Sequence, residues 1–479
     1  MGVLSSAWFF CHIHNYIRKV TRMKALSRFI GIAAGLGAII CTSQSLSAQN
    51  EARANSGTPG YTKMAPVPLT SVRTVTSSPV LTYPAGAKTS KGQVSFDENG
   101  GSVSRERAST NAASSANSAV IGNGTLFGLD TVPTFEGAFA ATGGPSMGQV
   151  FPYVMIGNDP LVGGTTTIPA KITTVALQLL NADGSVNKVV SYNPFENNTL
   201  DSPVFQNALY GDGRTQFTDA IQRAEFFNTM KQNWHTRLDP TIVNRITVTV
   251  PRFVNVRLPD GTIQQVQNYY LGTAPNGDSF VELLDLFFNS VFDNAVSNDI
   301  NGGNDTTDAF NMELYPNTFL FSIDNKGQFA TCCVLGFHTY FLDSTTVPQP
   351  RWVVAFASWI SPGLFGSGFQ DVTGLSHEVT EAYNDPFVNT LVPTWQFPGQ
   401  PATSKVCQGN LETGDPVEVL PDATVAIPLR ENGKIFTFHP QTEALLQWFS
   451  QGPASNAIDG AFSYPDENAL PHSAVPCPK

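Results

Sequence analysis

Charge is scarce in this sequence. Asp, Glu, Lys and Arg fill only 14% of 479 positions, against roughly a quarter in an average globular chain. The net formal charge is -11 and no basic patch rises out of it, which excludes nucleic acid as a partner. No internal repeat is present, so repeat architectures are excluded as well. The apolar run near the start, IGIAAGLGAIIC, falls short of the roughly 20 residues that span a bilayer. Cysteine is sparse, with six in all. Gly (40), Pro (33) and Phe (33) are abundant instead, a composition that suits a loop-rich, strand-rich extracellular protein of one large or two ordinary domains.

The first 48 residues hold Arg18, Lys19, Arg22, Lys24 and Arg28 and no acid. From Met23, MKALSRF is a basic leader, the apolar run follows, and SQSLSA offers small residues for cleavage near Ala48 or Gln49. Residues 1–48 therefore read as a signal peptide with an extended start, and the mature chain as secreted, periplasmic or extracellular, without a stable membrane anchor. Residues 49–125 are rich in Ser, Thr, Ala, Gly and Asn and read as a flexible linker or pro-segment, with short strands around 75–83. Beyond the signal stand Cys332, Cys333, Cys407 and Cys477. Bonding neighbours strains the intervening peptide, so Cys332 and Cys333 are each expected to reach Cys407 or Cys477, with buried free thiols as the alternative.

From Leu126 the pattern predicts an α+β fold: a strand-rich region at 126–275, then a C-terminal region at 276–479 whose motif-bearing helix packs on a mixed sheet. ITTVALQLL and VNKVVSY alternate around an Ala-Asp-Gly turn, and RITVTVPRFVNVRL with TIQQVQNYYLG repeats the device around Pro-Asp-Gly, as hairpins do. Residues 215–230 predict a helix. Ser279 and Glu282 read as a capping box for a second, buried helix. NTFLFSI and WVVAFASW read as strands. The loop at 299–308, DINGGNDTTD, presents enough oxygen for calcium, although a solvated loop explains it too.

The stretch GLSHEVTEAYNDPF, 374–387, carries the chemistry. On a helix, His377, Glu378, Glu381 and Asp385 share one face, while Leu375, Val379, Ala382 and Tyr383 form the opposite, apolar one. Asp371 or Thr373 is placed to cap the start and Pro386 to end it. Residues at i and i+4 grip one ion from successive turns, so His377 and Glu381 hold ligand positions and Glu378 the place of a water-activating base. Zinc is the first choice of metal; a second carboxylate ligand also suits manganese or calcium. Glu412 and Asp415 in LETGDPV lead the candidates for a third ligand, followed by Asp385, with His338 and His439 remaining. The competing explanations are a helix with a solvated acidic face and glycan hydrolysis by the paired glutamates.

HEVTE on its helix resembles the zincin metallopeptidases. Over 316–417, the order GFH, a strand, a Gly-rich loop and a helix ending NDPF is similar to the exordium-like, phosphate-induced secreted family. The zincin resemblance implies metal at His377 and base catalysis by Glu378 on peptide or protein substrates. The exordium-like resemblance implies export and a surface role. The expected function is a secreted metal-dependent peptidase, with a non-catalytic binding protein holding a degenerate or calcium-binding site as the alternative.

Overall fold

The computed structural model describes residues 80–82 and 132–478, except 344–349, 367, 402–403, 405 and 432–433. The signal, its cleavage point and nearly all of the 49–125 segment lie outside the described residues. Within that segment Val80–Thr82 is a strand, parallel to Phe253–Arg257.

Strands dominate and the sheets are mixed, as an α+β chain requires. The frame is a seven-stranded sheet containing β1 (Thr165–Leu180), β2 (Val186–Ser191), β3 (His235–Val250), β4 (Phe310–Pro316), β5 (Gly336–Leu342) and β6 (Arg351–Phe365). Sixteen-residue β1 is its spine. It pairs in parallel with β3 along one edge; along the other it pairs first with β4, in parallel, and then with β2, antiparallel. Beyond β4 lie β6, parallel, and β5, antiparallel.

Period-two alternation decides what each sheet face holds. In β6, Val353, Ala355, Ala357 and Trp359 join the core on one side, and Val354 and Phe356 the core on the other. That double burial explains why WVVAFASW reads as a nearly unbroken apolar run. Helix α2 (Asp285–Gly302) covers the second side with Phe288, Phe292 and Val296, spaced at i, i+4 and i+8. Helix α3 (Thr373–Asn384) covers the first with Leu375, Val379, Ala382 and Tyr383. The predicted helix at 215–230 is shorter, running as α1 (Phe217–Glu225).

Four expectations are corrected. Ser279–Leu284 is a strand, not the first turns of α2, because it hydrogen-bonds to Tyr269–Thr273 on one side and Thr318–Ile323 on the other. A short apolar run fits a buried strand or a helix equally well by pattern, and sheet pairing decides. The helix that follows has no side-chain cap and continues to Gly302, ending at Gly303 with φ 75°, a left-handed closure natural to glycine.

Among the described residues no group of His, Cys, Asp or Glu ligands gathers at the 299–308 loop. Asp299 lies in α2 and accepts hydrogen bonds from Thr173 (2.5 Å), Asn244 (2.6 Å) and Asn304 (2.9 Å), so its oxygens serve to tie the helix end to the sheet.

The disulfides join Cys332 to Cys333 and Cys407 to Cys477. Register explains the second pair. Trp395 of Leu391–Gln396 sits opposite Gln408 on one side and Pro476 on the other, which brings the adjoining cysteines together. Cys332 and Cys333 belong to a different sheet, on Phe329–Val334.

Finally, no side chain caps α3. Asp371 accepts from the backbone N–H groups of Val372 and His439 and meets the His439 ring at 2.7 Å. Thr373 is already inside the helix, with its hydroxyl directed at the carbonyls of Gln370 and His439.

Candidate metal centre

Every residue of α3 is buried, so the helix has no solvated acidic face. Its apolar stripe rests on the sheet. The histidine and carboxylates turn instead toward β5 and the 411–415 segment, and what they meet there is another set of buried polar groups.

His377 Nε2 lies 3.1 Å from Glu381 Oε1, one helical turn on, and 3.8 Å from Asp415 Oδ1. Asp415 arrives at the start of the short helix α4 (Asp415–Glu418). Strand alternation supplies the next group: in β5, Phe337 and Phe341 pack on the α2 side, so His338 faces α3. Its Nδ1 lies 3.5 Å from Glu381 Oε2 and 3.6 Å from Glu378 Oε2. Its Nε2 lies 3.2 Å from the Asp385 carbonyl. A carbonyl only accepts, so Nε2 carries hydrogen and fixes the ring's orientation.

Two sets of ligand atoms result, each within 4.8 Å of one another: His377, Glu381 and Asp415, and His338, Glu381 and Glu412. None of these residues, nor Glu378 or Glu443 beside them, is more than 3 % exposed.

The chain approaches closely to make this fit. A Cβ on Gly414 would lie 2.5 Å from His377 Nδ1, and one on Gly336 would lie 2.7 Å from the Glu378 carboxylate. The 411–415 segment is pinned on several sides. Leu411 N–H donates to Thr390 O, Gly414 N–H to Glu381 Oε1, Gln441 Nε2 to Gly414 O and Ala444 N–H to Thr413 O. The Cys407–Cys477 bond holds the chain just before it.

Electrostatics follow from burial and company. Burial opposes a charged His377 ring, but Glu381 and Glu378 outweigh it and lift the ring to about 10. The same contest ends the same way at His338, raised well above the ordinary histidine value by Glu378 and Glu381. Burial pushes Glu378 up and the two histidines pull it back, leaving about 7. Burial also opposes ionisation of Glu381, yet the histidines hold it well below the usual carboxylate range. Glu412 is pushed well above that range by burial and then by the charge of Glu381.

The donor set fits a divalent ion. Among the described residues both oxygens of Glu412 have no hydrogen-bond partner, and Oε2 of Glu378 and of Glu381 have none closer than His338 Nδ1, at 3.6 and 3.5 Å. A buried polar group left so costs about 1–3 kcal/mol, and imidazole with carboxylate oxygen is a common ligand set for zinc and manganese.

Of the residues expected from the sequence, His377, Glu378, Glu381, Glu412 and Asp415 converge. Asp385 does not: its carboxylate accepts from Asn389 N–H, Thr390 N–H and the Thr390 hydroxyl, organising the turn after α3. His439 is engaged by Asp371. His338 enters the site, although as a lone strand histidine it had no local signal. Glu443, buried where its charge acts on His377, was missed entirely; no spacing links it to the motif. No protein-family model, curated protein or solved structure matches this chain.

Proposed function

We propose that this protein is an exported, metal-dependent hydrolase of the peptidase class, with its ion held by His377, Glu381 and Asp415. The observation that carries the reading is the set of buried, mutually facing histidines and carboxylates, with both Glu412 oxygens unpartnered among the described residues. An ion there supplies Lewis-acid chemistry, polarising a water and the scissile carbonyl. Glu378 is the base. Its carboxylate stands beside both histidines without belonging to either ligand set, placed to take a proton from the attacking water and return it to the leaving amine. Gly336 and Gly414 let the backbone close over these side chains and hold their rotamers. Two disulfides support export, since such bonds persist in oxidising compartments.

One observation favours a second reading, a closed metal centre in a non-catalytic binding protein. Catalytic sites keep a coordination position open to substrate, whereas structural ones are sealed, and these donors are all buried. Two variants separate the readings. Glu381→Ala is expected to lose the metal, because Glu381 belongs to both ligand sets. Glu378→Gln is expected to keep it and lose cleavage of a denatured protein substrate. Metal retained by the wild type with no cleavage of any peptide library would establish the second reading, and a wild type that binds no zinc or manganese would dismiss both.

A further inference from the structure

The ligand atoms form two sets rather than one, and Glu381 belongs to both. Its oxygens are divided between them. Oε1 stands 3.1 Å from His377 Nε2, and Oε2 stands 3.5 Å from His338 Nδ1. Asp415 accompanies the first histidine and Glu412 the second. We propose that the site is a dinuclear centre: one divalent ion between His377 and Asp415, a second between His338 and Glu412, with the Glu381 carboxylate bridging them. This rests on the metal-centre reading above and extends it to a second ion with its own ligands.

Three further observations support the second position. His338 donates Nε2–H to a backbone carbonyl, the arrangement that orients metal-binding histidines and turns the other nitrogen toward the ion. Among the described residues that other nitrogen has no partner closer than the Glu381 and Glu378 carboxylates, at 3.5 and 3.6 Å, which it faces from a fully buried ring. Glu412 is fully buried with neither oxygen hydrogen-bonded, which one ion at His377 and Asp415 would leave unexplained.

Charge points the same way. Glu378, Glu381, Glu412 and Asp415 put four carboxylates into one water-poor site, and buried charge without a counter-charge is strongly unfavourable. With Glu443 beside them there are five buried carboxyls, of which one dication balances two and a pair of dications four. Glu378 lies between the histidines, with Oε1 4.0 Å from His377 Nε2 and Oε2 3.6 Å from His338 Nδ1. A base there would stand beside both ligand sets, and a two-metal site would supply a clamp for the attacking and leaving oxygens.

The test is stoichiometry. The full chain, stripped with chelator and reloaded with Mn(II), is measured by elemental mass spectrometry and by electron paramagnetic resonance. Two manganese ions per chain with an exchange-coupled spectrum are expected. His338→Ala and Glu412→Ala should each retain one ion, with the uncoupled six-line signal of a single Mn(II). The wild-type spectrum is independent of whether the variants fold. One ion per chain in the wild type, or two that are not coupled, overturns the dinuclear centre. No ion at all overturns the metal-centre reading beneath it as well.

Discussion

The two faces of the central sheet both bury acidic residues, in different company. On the α2 side, Asp299 is satisfied by Thr173, Asn244 and Asn304. Glu313 sits opposite Thr173 in the sheet, and burial, then Asp305 and Asp299, push it well above the usual carboxylate range. On the α3 side, the same residue type stands against two histidines, and Glu381 is held ionised. Burial alone favours the neutral carboxyl, whereas burial beside imidazoles favours the ionised one. The acidic stretches at 299–308 and 377–381 look alike as sequence, and only the second is joined by histidine in space.

The largest effect expected from breaking this contrast is at Glu381. Glu381→Ala should weaken zinc binding by more than about 100-fold, since loss even of an outer partner costs about 10–100-fold, while Glu313→Gln should leave metal content unchanged. Isothermal titration of both variants measures it. Equal losses would show that the two faces do not differ as described.

The next effect is apolar. Phe288 is fully buried against Phe292, Tyr315, Phe337 and Phe356, so Phe288→Ala should cost about 3–5 kcal/mol in denaturant unfolding. The metal-to-protein ratio of the folded fraction should stay constant, since the ring lies across the sheet from the ligands.

Removal of the Cys407–Cys477 bond, by Cys407→Ser with Cys477→Ser, should cost about 2–5 kcal/mol and lower metal affinity, because Asp415 and Glu412 follow Cys407 directly. A loss of stability with metal affinity unchanged would show that the hydrogen bonds of 411–415 suffice to position the ligands.

The smallest effect is on pH dependence. Burial raises Glu225 from 4.5 to about 8 and moves Glu313 in the same direction. A raised native pKa means that the folded state binds more protons than the unfolded one, so this contribution is complete below about pH 4.5 and lost as pH rises toward 8. The chelated protein should therefore melt several degrees lower at pH 8 than at pH 5. Added zinc should offset more of the loss at pH 8, because it must displace protons from the raised His377 and His338 rings and competes better where protons are scarcer. Glu225→Gln should flatten the profile; a slope that is unchanged assigns it to other groups.

Much of the frame was legible because periodicity is local. The hairpins around 182–184 and 259–261, the strand WVVAFASW and the motif helix all follow from residue alternation. The Ser279–Leu284 strand was misread because FVELL fits either period, and its partners lie outside any local window. In the site, i and i+4 spacing exposed His377 and Glu381, and proximity in sequence to a cysteine drew attention to Glu412 and Asp415. His338 stood only among the remaining candidates, and Glu443 was not marked at all. Sheet order and a long connection bring them to α3, and no spacing rule encodes that. The cysteine pairing failed for a similar reason, being set by the strands that flank Trp395.

Metal content bears most directly on the central claim. The wild type and Glu381→Ala, each loaded with zinc, desalted and analysed by elemental mass spectrometry, should differ completely: metal bound in stoichiometric amount by the wild type, and a trace in the variant, with both giving the same far-ultraviolet circular dichroism. Equal zinc in the two proteins, or none in the wild type, would contradict a metal centre built on the α3 motif.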